Sequence, residues 1–182
     1  MKEFIIFLVG SIGFVMLSRK SFINQPSHGF PRFFVFEAIL GLVVLNAPLW
    51  FTQPFSFPQL VSWILLTASA FLAIHAFRVL HAYGRIDRSI QSDSQQGVEK
   101  TTRLVTEGAY GWIRHPLYAS LFWFAWGIFL KQINLVSALL ALIASLALFL
   151  TSVYEEQENL YKFGDEYASY MQHTKRFIPF LF

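Results

Sequence analysis

The sequence has no cysteine, and only 14% of its 182 residues are charged. The missing cysteines exclude disulfides, thiolate nucleophiles, cysteine-based zinc sites and cysteine-held iron–sulfur clusters. A chain with so little charge and 55% hydrophobic residues is too apolar for an ordinary soluble domain, which indicates a lipid bilayer as its solvent. Lysine and arginine exceed aspartate and glutamate by only three, so nucleic acid is not an expected partner.

Five apolar stretches contain most of the hydrophobic residues. A bilayer core of about 30 Å requires roughly 20 apolar residues in a helix, and the stretches approach this length. They run from Phe4 to Leu17, Phe33 to Phe51, Leu60 to Leu80, Leu117 to Leu130 and Leu135 to Val153. We therefore predict an all-α polytopic membrane protein of about five transmembrane helices, in which the last two form a tight hairpin.

We predict that the whole chain forms one integral membrane domain. Its parts are three N-terminal spans (1–80), a connecting loop (81–116), the helical hairpin (117–153) and C-terminal interfacial helices (154–182). Near the end of the chain Leu160, Phe163, Tyr167 and Tyr170 follow helical spacing, which is typical of an amphipathic helix at a membrane surface. Gly164 is expected to break this helix.

The basic residues are divided unequally between the two sides of the membrane that five spans would create. Lys2 and Lys131 fall on one side, and the other twelve of the 14 lysines and arginines fall on the opposite side. Cytoplasmic loops carry the excess of basic residues in membrane proteins. This rule predicts an N-terminus outside and a C-terminus in the cytoplasm.

The connecting loop becomes rich in glycine and aromatic residues over 103–113, as expected where backbone turns sharply or approaches a ligand. Arg114, His115 and Pro116 follow. Pro116 suits the first position of a helix, because its missing N–H would have no partner there. Arg114 and His115 then lie near the positive end of the helix dipole, with Tyr118 one turn from His115, and this arrangement suits an anion.

Two acids follow the fifth apolar stretch directly. Glu155 and Glu156 stand where a carboxylate is costly unless it faces a polar cavity or a cation. Taken alone, such a pair is more often a solvated helix end. The remaining histidines lack the spacing of paired metal ligands on one helix face, so we expect no metal site. They are His28, His75, His81 and His173.

These clusters, taken in order, resemble the isoprenylcysteine carboxyl methyltransferase and phospholipid methyltransferase superfamily of integral membrane enzymes. The resemblance covers roughly residues 99–179. It departs at Asn159, because members usually carry leucine four residues before the Phe-Gly pair. The residues that carry the resemblance are Leu104, Val105, Gly108, Tyr110, Arg114, His115, Pro116, Tyr118, Glu155, Glu156, Phe163, Gly164, Tyr167, Tyr170 and Arg176 to Pro179.

The resemblance implies a methyltransferase of the bacterial inner membrane that uses S-adenosylmethionine and no metal. Its cofactor pocket would lie at the cytoplasmic face, and a lipophilic acceptor would enter from the surrounding membrane lipid. By the same resemblance Arg114 and Glu156 would face the acceptor. The cofactor would be lined by Leu104, Val105, Gly108, Tyr110, His115, Tyr118 and Glu155.

The residues leave the methyl acceptor open. A carboxylate, as in a prenylcysteine-like compound, would be held by Arg114 through charge-assisted hydrogen bonds and would need no base. A lipid amine or a thiol would need one, and Glu156 is the candidate. The alternative to an enzyme is a non-catalytic membrane scaffold or a small transporter subunit, in which the same clusters only close the helix ends.

Overall fold

The structure is a computed structural model, and it describes residues 2–23, 28–84 and 103–179. Much of the predicted connecting loop, 81–116, lies outside these residues. The described part is built of α-helices and contains no β-strand, which confirms the predicted all-α class. The helices are α1 (Lys2–Ile23), α2 (Gly29–Asn46), α3 (Phe57–Tyr83), α4 (Pro116–Phe129), α5 (Leu135–Phe163) and α6 (Asp165–His173).

All five predicted apolar helices are present, but the number able to cross a membrane is smaller than predicted. Among the described residues three segments are long and apolar enough, by length and composition: Gly29–Leu49, Phe57–Tyr83 and Leu135–Phe163. α4 has 14 residues, about 21 Å of helix, which is shorter than a bilayer core. α1 includes Lys2, Glu3 and Arg19 among its apolar residues.

Local sequence explains where the later helices begin and end. Pro116 is the first residue of α4, as predicted. Asn134 caps α5, because its side-chain oxygen accepts the Ser137 N–H at 2.8 Å. Gly164 ends α5 with a φ of +56°, a conformation that residues with a side chain rarely adopt. The predicted break at Gly164 is therefore confirmed.

α5 is longer than its apolar stretch. The stretch ends at Val153, whereas the helix continues without a break to Phe163. Residues 154–163 include glutamate, glutamine, leucine and lysine, which favour a helix, and they contain no glycine or proline. Glu155 and Glu156 therefore lie within a continuous helix and not in a separate interfacial segment.

The α4–α5 hairpin is less tight than predicted. Its turn is short, but α4 packs mainly on α3 and α5 mainly on α2. Hydroxyl groups hold α3 close to α4: Ser62 Oγ donates to the Gly127 carbonyl at 2.6 Å, and Ser69 Oγ donates to the Ser120 carbonyl at 2.7 Å. The two helices of the hairpin consequently leave space between them.

Two groups of buried apolar residues hold the fold together. The larger one joins α2, α4 and α5, with Val35, Leu42, Ile128 and Leu148 nearly or completely buried. The smaller one joins the end of α3 to the segment before α4, and consists of Ala76, Leu80, Val105 and Tyr110. The smaller cluster fixes residues 104–110 beside the start of α4, although they belong to no α-helix.

Lys131 fixes the turn between α4 and α5. Its Nζ lies 3.5 Å from the centroid of the Trp63 ring and 5.7 Å from that of Trp50. The same atom donates to Gln59 Oε1 at 3.0 Å, while Gln59 Nε2 donates to the Lys131 carbonyl. The side chain is buried, and burial lowers the pKa of Lys131. Cation–π attraction to the two rings offsets part of the cost of this buried charge.

Candidate functional site

Backbone pairing between two distant segments builds the site. Lys175 N–H donates to the Trp112 carbonyl at 3.1 Å, and Arg114 N–H donates to the Lys175 carbonyl at 2.7 Å. His115 N–H then donates to the Arg176 carbonyl at 3.2 Å. This parallel pairing joins the segment before α4 to the segment after α6. It brings the side chains of Arg114, His115 and Arg176 together beside the last turns of α5.

Glu156 is the centre of the charged cluster. Its side chain is 5% exposed, and Oε1 accepts from Arg114 Nε at 2.8 Å. Arg176 binds both carboxylate oxygens, with Nε 3.2 Å from Oε1 and Nη2 2.5 Å from Oε2. His115 Nε2 lies 3.3 Å from Oε1. The anion expected near the start of α4 is therefore Glu156 of the same chain, held by two guanidinium groups.

Arg114 is fastened on two sides. Nε is bound to Glu156, and Nη1 donates to the backbone carbonyls of Met171 and Thr174. Nη2 makes no hydrogen bond with any residue that the structure describes. The guanidinium group is thus rigidly oriented and keeps one nitrogen for another partner.

His115 lies between the two glutamates. Its Nε2 faces Glu156, and its Nδ1 lies 3.8 Å from Glu155 Oε2, beyond hydrogen-bond distance. The imidazole stacks on the Tyr118 ring with centroids 5.3 Å apart, which confirms that the two share a face. Glu155 Oε2 is buried and accepts no hydrogen bond from the described residues. A buried carboxylate oxygen without a donor is costly, so this atom suits a bound cation or N–H group.

A cleft lies in front of these groups, and we call it the polar cleft. It encloses about 90 Å³. Its lining includes six of the seven residues predicted to contact a cofactor, together with Arg114; Glu156 lies behind it. The lining consists of Leu80, Arg103, Leu104, Val105, Tyr110, Arg114, His115, Pro116, Leu117, Tyr118, Glu155, Asn159, Phe163, Tyr167 and Tyr170.

Gly108 is the seventh predicted cofactor residue, and it lies against α3 and outside the lining of the polar cleft. Its φ is +59°, and a Cβ at this position would stand 2.8 Å from His75 Nε2 and 3.0 Å from Val79 Cγ2. Glycine at 108 is therefore explained by close packing on α3 and by the backbone conformation.

Several lining residues were not predicted to lie in the cofactor site. Tyr170 donates its hydroxyl to the Tyr110 carbonyl at 2.6 Å, which ties α6 to the wall of the polar cleft. Tyr167 is also buried, and burial raises the pKa of both tyrosines, so both remain protonated. Asn159 and Phe163 follow Glu155 at intervals of four residues, a helical spacing that could have identified them.

A second, apolar cavity of about 150 Å³ lies between α4 and α5. We call it the α4–α5 cavity. It is close to the charged cluster, because the Arg176 guanidinium lies 5.0 Å from the centroid of the Phe149 ring in its wall. Its lining consists of Ala119, Phe122, Trp123, Ser145, Leu148, Phe149, Phe177 and Ile178.

Residues 71–162, just over half of the chain, match the model of the isoprenylcysteine carboxyl methyltransferase family. The chain belongs to this family. Membership and the three apolar helices together make the protein an integral membrane protein. The match to the family includes every predicted site residue from Leu104 to Glu156 and ends before Tyr167 and Arg176.

The curated relatives are longer proteins. The protein-S-isoprenylcysteine O-methyltransferase of Tribolium castaneum is 39% identical over 82 residues, which is 43% of this chain and 28% of that protein. The proteins of the same name from Mus musculus and Rattus norvegicus are each 34% identical over 85 residues, 44% of this chain and 29% of theirs. The alignments thus span less than a third of each relative. No solved structure matches the chain.

Proposed function

We propose that the protein is a methyltransferase that uses S-adenosylmethionine to methylate a lipophilic acceptor in the membrane. The observation that carries the proposal is Glu155 Oε2, a buried carboxylate oxygen with no donor among the described residues, which faces a cleft walled by aromatic rings. Family membership supports the same class of reaction.

The residues of the polar cleft fit the charged end of S-adenosylmethionine. This cofactor carries a sulfonium and an ammonium group, and cations bind to carboxylates and to the faces of aromatic rings. Glu155 would offer the carboxylate, and Tyr110 and Tyr118 would offer rings. The enclosed volume of about 90 Å³ is too small for the whole cofactor. Its charged end would occupy the enclosed part, and the remainder would extend through the open side.

The other predicted cofactor residues have supporting roles in this proposal. Leu104 and Val105 would supply an apolar wall, and His115 would present its ring beside Tyr118. Gly108 would act indirectly, by allowing the loop to approach α3 closely. S-adenosylmethionine supplies a methyl group on a positively charged sulfur, which an acceptor removes by in-line displacement. The protein mainly has to align the two reactants.

The charged cluster favours a carboxylate as the acceptor. Arg114 Nη2 is available to bind such a group while Nε and Nη1 hold the guanidinium in place. Glu156 accepts hydrogen bonds from two arginines, and such contacts stabilise the ionised form and weaken it as a base. The geometry therefore gives less support to a lipid amine or thiol, because deprotonation of these acceptors would require a base.

We place the polar cleft at the cytoplasmic side of the bacterial inner membrane, with the N-terminus outside. The charge distribution of the sequence supports this orientation: Arg114 and Arg176 lie at the cleft end of α4, and Lys131 lies at the other end. A reporter enzyme that is active only outside the cytoplasm, fused to the C-terminus, should be inactive. Strong reporter activity would contradict the orientation.

Calorimetric titration of the detergent-purified protein tests the proposal before any acceptor is known. S-adenosylmethionine and S-adenosylhomocysteine should each bind with one-to-one stoichiometry at micromolar affinity, and adenosine alone should bind more weakly because it lacks the charged end. A protein that melts cooperatively but binds neither molecule would contradict the proposed function and favour the scaffold alternative.

A further inference from the structure

The last part of α5, residues 154–163, continues the helix beyond its apolar stretch, and we call it the α5 extension. Glu156 is its only buried residue, and Tyr161 is 95% exposed. Burial of apolar surface therefore contributes less to the placement of the α5 extension than to that of the apolar part of the helix. Its position depends on the contacts of its polar side chains, and it carries Glu155 to the polar cleft.

Glu158, also in the α5 extension, binds the residue that precedes α2. Its Oε1 accepts the His28 backbone N–H at 3.2 Å, and its Oε2 lies 2.7 Å from His28 Nδ1. An ionised carboxylate can only accept, so Nδ1 carries the proton that forms the second bond. The side chain of His28 is 1% exposed, and that of Glu158 is 29% exposed. The contact is therefore charge-assisted and shielded from solvent on the histidine side.

The start of α2 suits a carboxylate from another helix. The first N–H groups of a helix have no partner within it, and the side chain of His28 does not cap α2. Negative charge near a helix N-terminus is also favoured by the helix dipole. Glu158 places its carboxylate at this point and binds the backbone as well as the ring. The α5 extension is thus fastened to the beginning of α2 by two hydrogen bonds.

Glu156 and Glu158 hold the α5 extension from opposite sides. Residues two apart in an α-helix point about 200° away from each other. Glu156 binds the arginines of the charged cluster, and Glu158 binds His28. Glu155 projects from the face between them, about 100° from Glu156 and about 60° from Glu158, toward the polar cleft. The two contacts together therefore fix the rotation of this helix and the direction of Glu155.

We propose that His28 and Glu158 are positioning residues, and that their contact sets the orientation of the α5 extension in which Glu155 faces the polar cleft. This inference rests on the proposed methyltransferase function, which assigns Glu155 to the cofactor. It also gives a role to the N-terminal part of the chain, because Glu158 lies within the residues that match the family, 71–162, and His28 lies outside them. The start of α2 supports the site without lining the polar cleft.

Two substitutions of His28 separate the hydrogen bond from simple packing. His28→Asn is smaller but keeps a donor near the position of Nδ1, whereas His28→Leu fills the space and has no donor. Affinity for S-adenosylhomocysteine is measured by calorimetry on the detergent-purified full chain. It should fall about tenfold in His28→Leu and about threefold or less in His28→Asn. An unchanged affinity in His28→Leu, or a larger loss in His28→Asn than in His28→Leu, would overturn the proposal.

A double-mutant cycle tests whether the contact acts through Glu155. Glu158→Ala should weaken binding of S-adenosylhomocysteine about tenfold in the original protein, but only about twofold or less in a Glu155→Gln background, where the positioned charge is already absent. Loss of affinity by the same factor in both backgrounds would show a general structural role and overturn the positioning role. Gln157→Ala, at an exposed position of the α5 extension outside the polar cleft, is the control and should leave affinity unchanged.

The same titrations separate this inference from the proposed function. Each variant is first shown to melt cooperatively, and Glu158→Gln, which keeps one acceptor oxygen, replaces Glu158→Ala if the latter does not fold. An original protein that binds S-adenosylhomocysteine no more tightly than His28→Leu and Glu158→Ala overturns the positioning role alone. An original protein that does not bind S-adenosylhomocysteine overturns the proposed function and this inference with it.

Discussion

Both ends of the α4–α5 pair contain a buried charge, but the partners of that charge differ between the two ends. At the turn, Lys131 faces two tryptophan rings and donates a hydrogen bond to Gln59, so that all of these partners belong to the same chain. At the other end, three basic side chains surround Glu156, while a second carboxylate keeps an oxygen without a donor. A charge enclosed by its own chain stabilises a fold, whereas a buried group left without a partner beside a cavity indicates a ligand.

Removal of the central carboxylate should have the largest effect. Glu156→Ala leaves the partly buried Arg114 and Arg176 without this carboxylate, and breaking a buried ion pair in this way costs about 3–5 kcal/mol. We expect a large drop in melting temperature and no turnover. Glu156→Gln keeps the shape of the side chain, and its melting temperature should lie between that of Glu156→Ala and that of the original protein. A melting temperature of Glu156→Ala equal to that of the original protein would show that the cluster does not hold this end together.

Arg114→Lys should have the next largest effect, and this effect should be a loss of catalytic activity. Lysine keeps the charge but cannot hold Glu156 and a carboxylate acceptor with separate nitrogens. We expect kcat/KM to fall about 10- to 100-fold, the value of one or two charge-assisted hydrogen bonds. Affinity for S-adenosylmethionine should remain nearly intact, because Arg114 is assigned to the acceptor. Equal loss of cofactor affinity in a calorimetric titration would reverse that assignment.

Glu155→Gln should affect cofactor binding alone. The change removes the negative charge of the oxygen that lacks a donor, while size and helix remain the same. Affinity for S-adenosylmethionine should fall about tenfold or more, as expected for a lost charge-assisted contact. Glu166→Gln, at an exposed position on α6 and outside the polar cleft, serves as the control for the loss of one negative charge. Unchanged affinity in Glu155→Gln would remove this residue from the site.

Lys131→Met should have the smallest effect. It should lower stability at the turn between α4 and α5 and leave the cofactor site unchanged. Methionine retains the apolar contacts of the side chain but loses the cation–π contact and the hydrogen bond to Gln59. We expect a loss of about 1–2 kcal/mol in stability, measured by thermal melting. Cofactor affinity should remain the same. A change in that affinity would mean that the two ends of the hairpin are coupled and not independent.

Much of the site could be predicted from short stretches of sequence. Pro116 and Gly164 mark helix boundaries by their own backbone preferences, and the segment 104–118 contains most of the polar cleft within one stretch of chain. The length of the continuous apolar runs also located the helices. These features depend on residues within one or two helical turns along the sequence, and sequence patterns describe interactions over this short range.

Other features depend on contacts between distant segments and were missed. Arg176 reaches Glu156 only because the segments before α4 and after α6 pair through their backbones. Lys131 lies in the turn between α4 and α5, as predicted, but its burial against Trp63 on α3 was not predicted. The close packing of Gly108 on α3 was not predicted either, because His75 and Val79 lie far away in sequence. Contacts between distant segments determine the surroundings of all three residues, and such contacts cannot be read from the local sequence.

A structure of the protein bound to S-adenosylhomocysteine would test the central claim most directly. The account predicts the amino-acid end of the ligand in the polar cleft, with its ammonium group at hydrogen-bond distance from Glu155 Oε2 and its sulfur directed toward Arg114. Density for the ligand at any other surface, or an empty polar cleft under saturating ligand, would contradict the account.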